Sequence, residues 1–257
     1  MMSDKRIKIG VCDWSIGQGD SPKCFSVAKQ LGLDGVQVSL GSVKNDMHLR
    51  TKDVQEKYLA ESKKCGIEIA SLAIGELNSV PYKSDLRAEQ WVADSIDVCK
   101  RLNTKVVLLA FFNQGDLRSD AKGIDEVVRK LKQVAPKAEK AGVVLGLESW
   151  LSAWEHMDII QRVGSSAIKV YYDVGNSHTQ GYDIYEEIRF LGDTICEFHA
   201  KDYGFLFGKG KVDFTAVQLA MEDINYRGWM QIEGAQPLGM LESYRLDRAY
   251  LEKVFKI

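Results

Sequence analysis

Eight short apolar runs recur along the chain, and longer stretches with helical periodicity separate them. Each run is rich in β-branched residues and has the length of a strand. Because the runs are almost continuously apolar, they are typical of parallel strands whose outer face is covered by helices. We predict eight strands, at residues 7–15, 35–40, 67–75, 105–112, 143–149, 168–174, 195–202 and 229–234.

The segments between the runs have the spacing of amphipathic helices. The clearest of these segments are residues 84–103, 125–142 and 213–228. Gly142 is a helix stop, and Pro136 predicts a kink or a local break shortly before it. The third segment is predicted to begin at an Asp213 cap and to end at Gly228.

A strand followed by a helix, repeated eight times, predicts parallel strands joined by helical crossovers. The simplest closed arrangement is an α/β fold with one (β/α)₈ TIM barrel over residues 1–257, and an open doubly wound sheet is the alternative. No G-x-G-x-x-G follows the first strand, which argues against a dinucleotide site. The "GKGK" at 208–211 follows the seventh strand, where a flexible loop explains it equally well.

The composition excludes several classes of partner. The net charge of −2 provides no basic surface for nucleic acid or an acidic membrane. No window approaches the ~18 apolar residues of a membrane span, and the short basic start lacks the apolar core of a signal sequence. The five cysteines form no C-x-x-C pair, which indicates reduced thiols. We therefore expect a cytoplasmic protein, with a signal sequence already removed as the alternative.

The ends of the predicted strands carry the chemistry, because barrel active sites lie at the carboxyl ends of the strands. Four consecutive strands end in Glu148, Asp173, His199 and Glu233. Each one alone is more typical of a helix cap or an ion pair. Together, three crowded carboxylates would repel one another unless a cation lay between them. Oxygen and imidazole ligands predict one divalent metal ion, with Mn²⁺ as first choice and Mg²⁺, Co²⁺ or Zn²⁺ as alternatives.

Other polar and aromatic side chains follow the same strand ends. Aromatic faces beside polar groups suit the C–H faces of a sugar, although rim packing explains any single one equally well. We predict substrate contacts for Asp13, Trp14, Glu76, Trp150, Asn176 and His178. Lys201 is predicted to act in catalysis, by stabilising an oxyanion or by donating a proton at a lowered pKa, and an ion pair with Asp202 or Glu76 is the alternative.

Four short motifs resemble those of the xylose isomerase-like TIM-barrel superfamily. They are "LGLES", "YYDVGN", "EFHAKD" with the following "GKGKVDF", and "MQIEG". The closest resemblance is to the sugar phosphate isomerase/epimerase members, which include ketose 3-epimerases and inosose dehydratases, and it covers essentially the whole chain. It implies a metal site formed by Glu148, Asp173, His199 and Glu233, in which Glu148 and Glu233 are also the acid–base pair.

The resemblance implies proton abstraction next to the carbonyl of a sugar or cyclitol, through a metal-stabilised enediolate. Return of the proton gives an isomerase or epimerase, which is our first choice. Loss of a β-substituent instead gives a lyase, either an inosose dehydratase or a keto-glycoside eliminase. Many of the epimerases have a His where this chain has Asn176, and a Glu where it has Gln37.

Two other classes of protein are weaker alternatives. A DNA-repair endonuclease of the same superfamily needs more histidines and a basic surface, whereas this chain has four histidines and a negative net charge. A non-catalytic sugar-binding barrel would tolerate the loss of the metal ligands, and all four are present. We expect a small-molecule substrate, no nucleic-acid partner and no membrane partner, and leave association into a homo-oligomer open.

Overall fold

A closed barrel of eight parallel strands forms the centre of the molecule in the computed structural model, which describes residues 6–257. The strands pair in chain order, and the last pairs with the first. Their bounds are β1 Ile7–Cys12, β2 Gly35–Ser39, β3 Glu68–Ile74, β4 Val106–Phe111, β5 Val144–Ser149, β6 Ile168–Asp173, β7 Ile195–Ala200 and β8 Gly228–Ile232. All eight predicted strands and the predicted closed barrel are confirmed. Part of the basic start, at residues 1–5, lies outside the described residues.

Helices surround the barrel and follow every strand. They are α1 Cys24–Leu31, α2 Lys52–Cys65, α3 Leu86–Arg101, α4 Ala121–Ala141, α5 Ala153–Val163, α6 Val174–Thr179, α7 Ile184–Leu191, α8 Phe214–Asp223 and α9 Met240–Phe255. Both α6 and α7 lie between β6 and β7. Within residues 6–257, no helix combines the length and the apolar character needed to cross a membrane.

The alternation of side chains along each strand separates the outer core from the barrel interior. In β4, Val107 and Leu109 belong to the large core between strands and helices. The residues between and after them, Leu108 and Ala110, belong instead to a small cluster inside the barrel, with Ala73 of β3. Small side chains on this side of the interior leave room above them for a ligand.

Two register irregularities align polar side chains inside the barrel. Gln37 of β2 lies opposite Ser71 of β3 because the pairing skips one residue of β3. Tyr171 of β6 lies opposite Glu197 of β7 because the pairing skips one residue of β7. Bulges of this kind re-aim side chains and are frequent beside active sites. Both irregularities turn polar groups toward the same interior layer.

Two predicted helix features, the Asp213 cap and the Gly142 stop, are confirmed, whereas a break at Pro136 and a helix end at Gly228 are wrong. Helix α4 continues through Pro136 without a break. The carbonyl of Lys132, which loses its hydrogen bond there, belongs to an exposed residue and can be solvated. Helix α8 begins after the predicted Asp213 cap but ends at Asp223, because Gly228 already starts β8. Gly142 ends α4 in the left-handed conformation, as predicted.

Candidate metal centre and active site

The carboxyl ends of four neighbouring strands bring the four predicted ligands together. Asp173 ends β6 and lies opposite His199 of β7 in the sheet register. Glu148 lies near the end of β5, and Glu233 directly follows β8. One donor atom from each of the four residues lies within 4.8 Å of the others. The first three side chains are buried and Glu233 is half-buried, so the cluster is largely withdrawn from water.

The chemistry of this cluster fits a divalent cation. His199 Nδ1 lies 3.0 Å from Glu148 Oε1 and 3.8 Å from Asp173 Oδ2. It also lies 3.8 Å from Glu233 Oε2. Asp173 Oδ2 is buried without a hydrogen-bond partner among the described residues, although buried polar atoms are normally satisfied. A cation among these atoms would satisfy that oxygen and offset the repulsion between the carboxylates, so these residues could hold a metal ion.

The charges around the cluster separate the pKa values of its carboxylates. Burial raises the pKa of Asp173 to about 7, an effect that Lys201 opposes and Glu148 reinforces. Burial acts in the same direction on Glu233, but the charges of His199 and Lys201 outweigh it and lower the pKa of Glu233. Glu233 is therefore an ionised carboxylate at neutral pH, and a cation among these atoms would favour the ionised form of Asp173.

Lys201 binds inside the cluster rather than at its edge. Its Nζ donates to Glu233 Oε2 at 2.8 Å and lies 3.7 Å from Asp173 Oδ2. Burial acts to lower the pKa of Lys201, but Asp173 and Glu233 together raise it above the ordinary value. These two carboxylates therefore keep Lys201 charged when no cation lies among them, and a lowered pKa beside a bound cation stays a prediction. Its ion-pair partners are Asp173 and Glu233, not Asp202 or Glu76.

Trp14 fixes the other oxygen of the same carboxylate. Its indole Nε1 donates to Glu233 Oε1 at 2.8 Å. The indole ring also meets the ring of His199 edge-on, with 6.0 Å between the centroids. Because Trp14 and Lys201 bind different oxygens, the Glu233 carboxylate is held in one orientation before any ligand arrives.

A buried hydrogen-bond network beneath the cluster orients His199. His199 Nε2 lies 2.8 Å from Gln37 Oε1, which can only accept, so Nε2 carries the proton and Nδ1 faces the carboxylates. Gln37 Nε2 donates to Ser71 Oγ and to Tyr171 OH, both at 3.0 Å. A histidine whose second nitrogen is fixed by a hydrogen bond is the usual arrangement of a metal ligand.

Glu197 lies at the bottom of this network and accepts three of its hydrogen bonds. Its Oε1 accepts from Ser71 Oγ at 2.7 Å and from Tyr171 OH at 3.1 Å. Gln231 Nε2 donates to the same oxygen at 2.6 Å. Burial raises the pKa of Glu197 despite these donors. The strand pattern does not reveal this layer, because its polar residues lie within runs that are otherwise apolar.

An open cavity of about 530 Å³ lies at the mouth of the barrel, above the cluster. Seven residues predicted from the sequence line it: Trp14, Glu76, Glu148, Trp150, Asn176, Lys201 and Glu233. Four further lining residues are Asp20, Ser39, Phe112 and Tyr203. Phe112 directly follows β4, so its place at a strand end is a signal that the sequence does contain.

Asn176 and Tyr203 connect the cluster to the cavity. Asn176 Nδ2 donates to Glu148 Oε1 at 3.4 Å, and the hydroxyl of Tyr203 donates to Asn176 Oδ1. Lys201 Nζ lies 4.9 Å from the ring centroid of Tyr203. The sequence does not point to Tyr203, since an aromatic residue in an irregular loop has no periodic signal.

The structure places two predicted substrate contacts outside this cavity. Asp13 is fully buried, and its two oxygens accept from the backbone N–H and the hydroxyl of Ser39, at 2.9 and 2.7 Å. Burial raises the pKa of Asp13 to about 7, although the bonds from Ser39 act against this. His178 lines a separate hollow of about 120 Å³ beside Lys211. Asp13 therefore joins β1 to β2, and His178 lies behind the wall of the cavity.

The segment after β7 is anchored rather than free. Asp202 is buried, and its carboxylate accepts from Lys211 N at 3.1 Å and Val212 N at 3.3 Å. A Cβ at position 210 would lie 2.1 Å from Asp202 Oδ2, so only glycine fits there. The glycines of this segment therefore allow the loop to close on Asp202, next to the residues that hold Glu233.

Comparisons with known proteins agree with this architecture. Residues 25–253 match the family model described as "Xylose isomerase-like TIM barrel". A curated protein of Haemophilus influenzae, with the provisional name L-ribulose-5-phosphate 3-epimerase, is 24% identical over 89% of both chains. The D-psicose 3-epimerase of Enterocloster bolteae is 30% identical over a shorter region, 39% of this chain and 36% of the relative.

A solved structure shows the same fold over nearly the whole chain. The D-psicose 3-epimerase of Clostridium cellulolyticum, solved with D-tagatose, superposes with a TM-score of 0.82. The alignment covers 96% of this chain and 99% of that chain at 17% identity, a level that shows a shared fold. The chain belongs to the xylose isomerase-like TIM barrel family.

Proposed function

We propose that the protein is a divalent-metal-dependent sugar epimerase or isomerase. The observation that carries the proposal is the cluster of Glu148, Asp173, His199 and Glu233 at the mouth of the barrel. The two curated relatives described above bear the names of sugar epimerases, which supports an enzyme of the isomerase and epimerase class. The substrate is a sugar or cyclitol with a proton next to a carbonyl.

The four clustered residues would hold one divalent cation, with Mn²⁺ as first choice and Mg²⁺, Co²⁺ or Zn²⁺ as alternatives. When bound, the cation supplies polarisation of the substrate carbonyl. Gln37 keeps His199 turned so that Nδ1 faces the cation site. Trp14 and Lys201 restrain Glu233 before substrate enters.

In this proposal, Glu148 and Glu233 carry out the two proton transfers. Glu148 lies on β5 and Glu233 directly follows β8, the first and last of the four strands that carry the cluster. A carbon held between these strands presents opposite faces to the two carboxylates. One of the two carboxylates takes the proton, and the C–H electron pair moves toward the carbonyl oxygen to give an enediolate. The other glutamate enters the reaction protonated and gives its proton to the opposite face, which yields the epimer, and exchange with solvent then restores both glutamates.

A lyase is the second candidate function, and Tyr203 is the observation that favours it. Its hydroxyl lies at the cavity next to Asn176 and Lys201. Burial raises the pKa of Tyr203, so the hydroxyl keeps its proton at neutral pH. Such a group can protonate a leaving β-substituent after the proton next to the carbonyl has been removed. The product then distinguishes a lyase from an epimerase.

Solvent deuterium exchange tests the proposal. The Mn²⁺-loaded protein is incubated in D₂O with a panel of ketoses, inososes and keto-glycosides, and the products are followed by NMR. We expect deuterium at one carbon next to the carbonyl. Glu148→Gln and Glu233→Gln should each abolish this exchange. Glu68→Gln is the matched control, because Glu68 pairs with Lys8 at the opposite end of the barrel. Near-normal exchange in either of the first two variants would contradict the two-glutamate mechanism.

A further inference from the structure

Two loops meet at one edge of the cavity, above β1 and β2. The loop between β1 and α1 and the loop between β2 and α2 both line the cavity, through Trp14, Gly19, Asp20, Gly41 and Ser42. At the base of the loops, Asp13 binds Ser39 and is fully buried. At the rim, 3.4 Å separates Asp20 Oδ1 from His48 Nδ1, and the Asp20 side chain keeps 39% of its surface exposed. The rim contact can therefore open while the contact at the base stays closed.

The tip of the first loop packs on Trp14. A Cβ at Gly19 would lie 3.7 Å from Trp14 Cα, so the backbone of Gly19 touches the backbone of Trp14. Asp20 follows in the left-handed region at a φ of 66°, which Asp adopts more readily than most residues. A restraint on Asp20 is thus transmitted through Gly19 to Trp14, whose indole donates to Glu233.

His48 lies on a rigid part of the second loop. Its chain neighbours Met47 and Leu49 are fully buried in the core between strands and helices. Met47 has a φ of 50°, a conformation that is uncommon outside glycine and persists only where the surrounding structure fixes it. The buried ring of Tyr58 packs against the His48 ring, with 5.9 Å between the centroids. His48 is therefore the fixed partner of the rim contact, and Asp20 is the partner that can move.

Hydrogen bonding directs one ring nitrogen of His48 at Asp20. His48 Nε2 lies 3.3 Å from the hydroxyl of Tyr58. Burial raises the pKa of Tyr58, so this hydroxyl is protonated and can donate to Nε2. Burial also lowers the pKa of His48, against the effect of Asp20, so the ring is neutral at neutral pH and carries its proton on Nδ1.

That buried Nδ1 has no hydrogen bond among the described residues. Buried donors are normally satisfied, and the 3.4 Å to Asp20 Oδ1 is slightly longer than a good hydrogen bond. A small movement of the first loop toward the second would complete the bond. The structure thus holds an unsatisfied donor on the rigid loop and an exposed acceptor on the loop that carries Trp14.

We propose that His48 and Asp20 clasp the rim of the cavity and thereby keep Trp14 on Glu233. They are positioning residues that act through Trp14, and His48 itself does not line the cavity. When the clasp opens, Glu233 Oε1 loses the indole donor while Lys201 still binds Oε2, so the carboxylate is held at one oxygen and can turn. The effect of the clasp on catalysis rests on the proposed function, whereas its effect on the indole does not.

Solvent exchange of the Trp14 indole N–H tests the clasp without any substrate. NMR on the ¹⁵N-labelled protein measures the rate, and Trp14→Phe assigns the signal. His48→Phe keeps a ring against Tyr58 but removes the Nδ1 donor, so we expect at least ten-fold faster exchange. His48→Asn places an amide donor where Nδ1 lies and should keep the wild-type rate, whereas His48→Gln places it near Nε2 and should resemble His48→Phe. The indole of Trp91, buried in α3, is the control and should not change.

Variants of Asp20 test the clasp from the other loop. Gly and Asn both tolerate the left-handed conformation that this position requires. Asp20→Gly removes the acceptor and should accelerate indole exchange at least ten-fold. Asp20→Asn keeps an acceptor oxygen for His48 and should leave the rate near that of the wild-type protein. Because Asp20 lies at an exposed tip, these variants provide the test even if a substitution at His48 prevents folding.

A double-mutant cycle tests whether the clasp acts on catalysis through Trp14. With a sugar that exchanges deuterium in the panel, His48→Phe should lower kcat about ten-fold, because a displaced carboxylate transfers protons poorly. It should change KM less than two-fold, because His48 does not line the cavity. In the Trp14→Phe background, the same substitution should change kcat less than two-fold.

The outcomes separate the clasp from the proposed function. Unchanged indole exchange in His48→Phe or Asp20→Gly, or an equal acceleration at Trp91, would overturn the clasp and leave the proposed function standing. Equal losses of kcat in the two backgrounds, or a rise in KM alone, would overturn the action through Trp14. If no sugar of the panel exchanges deuterium with metal bound, the proposed function fails, and indole exchange still decides whether the clasp exists.

Discussion

Asp247 of α9 offers a quantitative test of how burial acts in this fold, away from the metal cluster. Its side chain is fully buried. Oδ1 accepts from Phe207 N at 2.9 Å, and Oδ2 has no hydrogen-bond partner in the described part of the chain. Burial raises the pKa of Asp247 to about 7, against the opposing effect of the Phe207 bond. An ionised carboxylate at this position is therefore unfavourable.

The sign and size of the effect follow from linkage. An aspartate in the unfolded chain has a pKa of about 4. Because the folded pKa is higher, folding is favoured while Asp247 is protonated, and this stability is lost as the pH rises from about 4 through about 7. A shift of about 3 units corresponds to at most about 4 kcal/mol. The ionised carboxylate would keep its bond from Phe207 N and the surroundings would relax, so we expect about 2 kcal/mol.

Asp247→Asn removes the charge and keeps an oxygen that can accept from Phe207. We expect the variant to be more stable than the wild-type protein by about 2 kcal/mol at pH 8.5, or about 4–8 °C in Tm for a domain of this size. At about pH 3.5, below the pKa of about 4 in the unfolded chain, the difference should largely vanish. Thermal and urea unfolding at both pH values measure it, with the exposed Asp97→Asn as control. A variant that is less stable at pH 8.5, or a difference independent of pH, would refute the reasoning.

Three further substitutions test the site. Gln37→Leu removes the acceptor for His199 Nε2 and should weaken metal binding about 10–100-fold in calorimetry; unchanged affinity would exclude an orienting role. Lys201→Met removes a charge that lowers the pKa of Glu233, so the acidic limb of the kcat/KM–pH profile should move to higher pH, and a stationary limb would contradict this. Gly210→Ala places a Cβ 2.1 Å from a carboxylate oxygen and should lower the free energy of unfolding by about 1–3 kcal/mol; wild-type stability would show that the loop can shift.

The strands and the four clustered residues can be predicted from the sequence because they follow local rules. A continuous apolar run marks a buried parallel strand, and a charged residue at its end marks the mouth of the barrel. The continuation of α4 through Pro136 could not be predicted in this way, because it depends on solvent access to the carbonyl of Lys132. Helix α8 was extended too far because Gly228 resembles a helix stop although it begins a strand.

The predicted substrate contact of Asp13 is wrong because a place at a strand end does not tell on which face the side chain lies. Successive residues point to opposite faces of a strand. Cys12 contacts His199 inside the barrel, so the next residue, Asp13, points outward, where it binds Ser39. The alternation of side chains along β1 therefore turns Asp13 away from the site. His178 needs tertiary information, because it lies in the short helix α6 rather than on a strand.

The same alternation explains why polar residues lie beneath the ligands. For three of the clustered residues, the residue two positions earlier in the chain also has a polar side chain that points inward. These residues are Tyr171 before Asp173, Glu197 before His199, and Gln231 before Glu233. On β5 the corresponding residue is Gly146, where a Cβ would lie 3.1 Å from the Cβ of Tyr171. The barrel thus stacks the layer of clustered residues on a layer of hydrogen-bonding groups.

Stability does not account for this lower layer. Glu197 Oε2 and Gln231 Oε1 are buried without hydrogen-bond partners within residues 6–257. Well-packed apolar side chains at this depth would avoid the penalty of such atoms. An apolar layer could not accept a hydrogen bond from His199 Nε2. Gln37 Oε1 accepts this bond, and Ser71 and Tyr171 hold the Gln37 amide by accepting from its Nε2. The unpartnered atoms of the polar layer cost stability, and the layer keeps His199 Nδ1 directed at the carboxylates, an orientation that the proposed metal site needs and that folding does not.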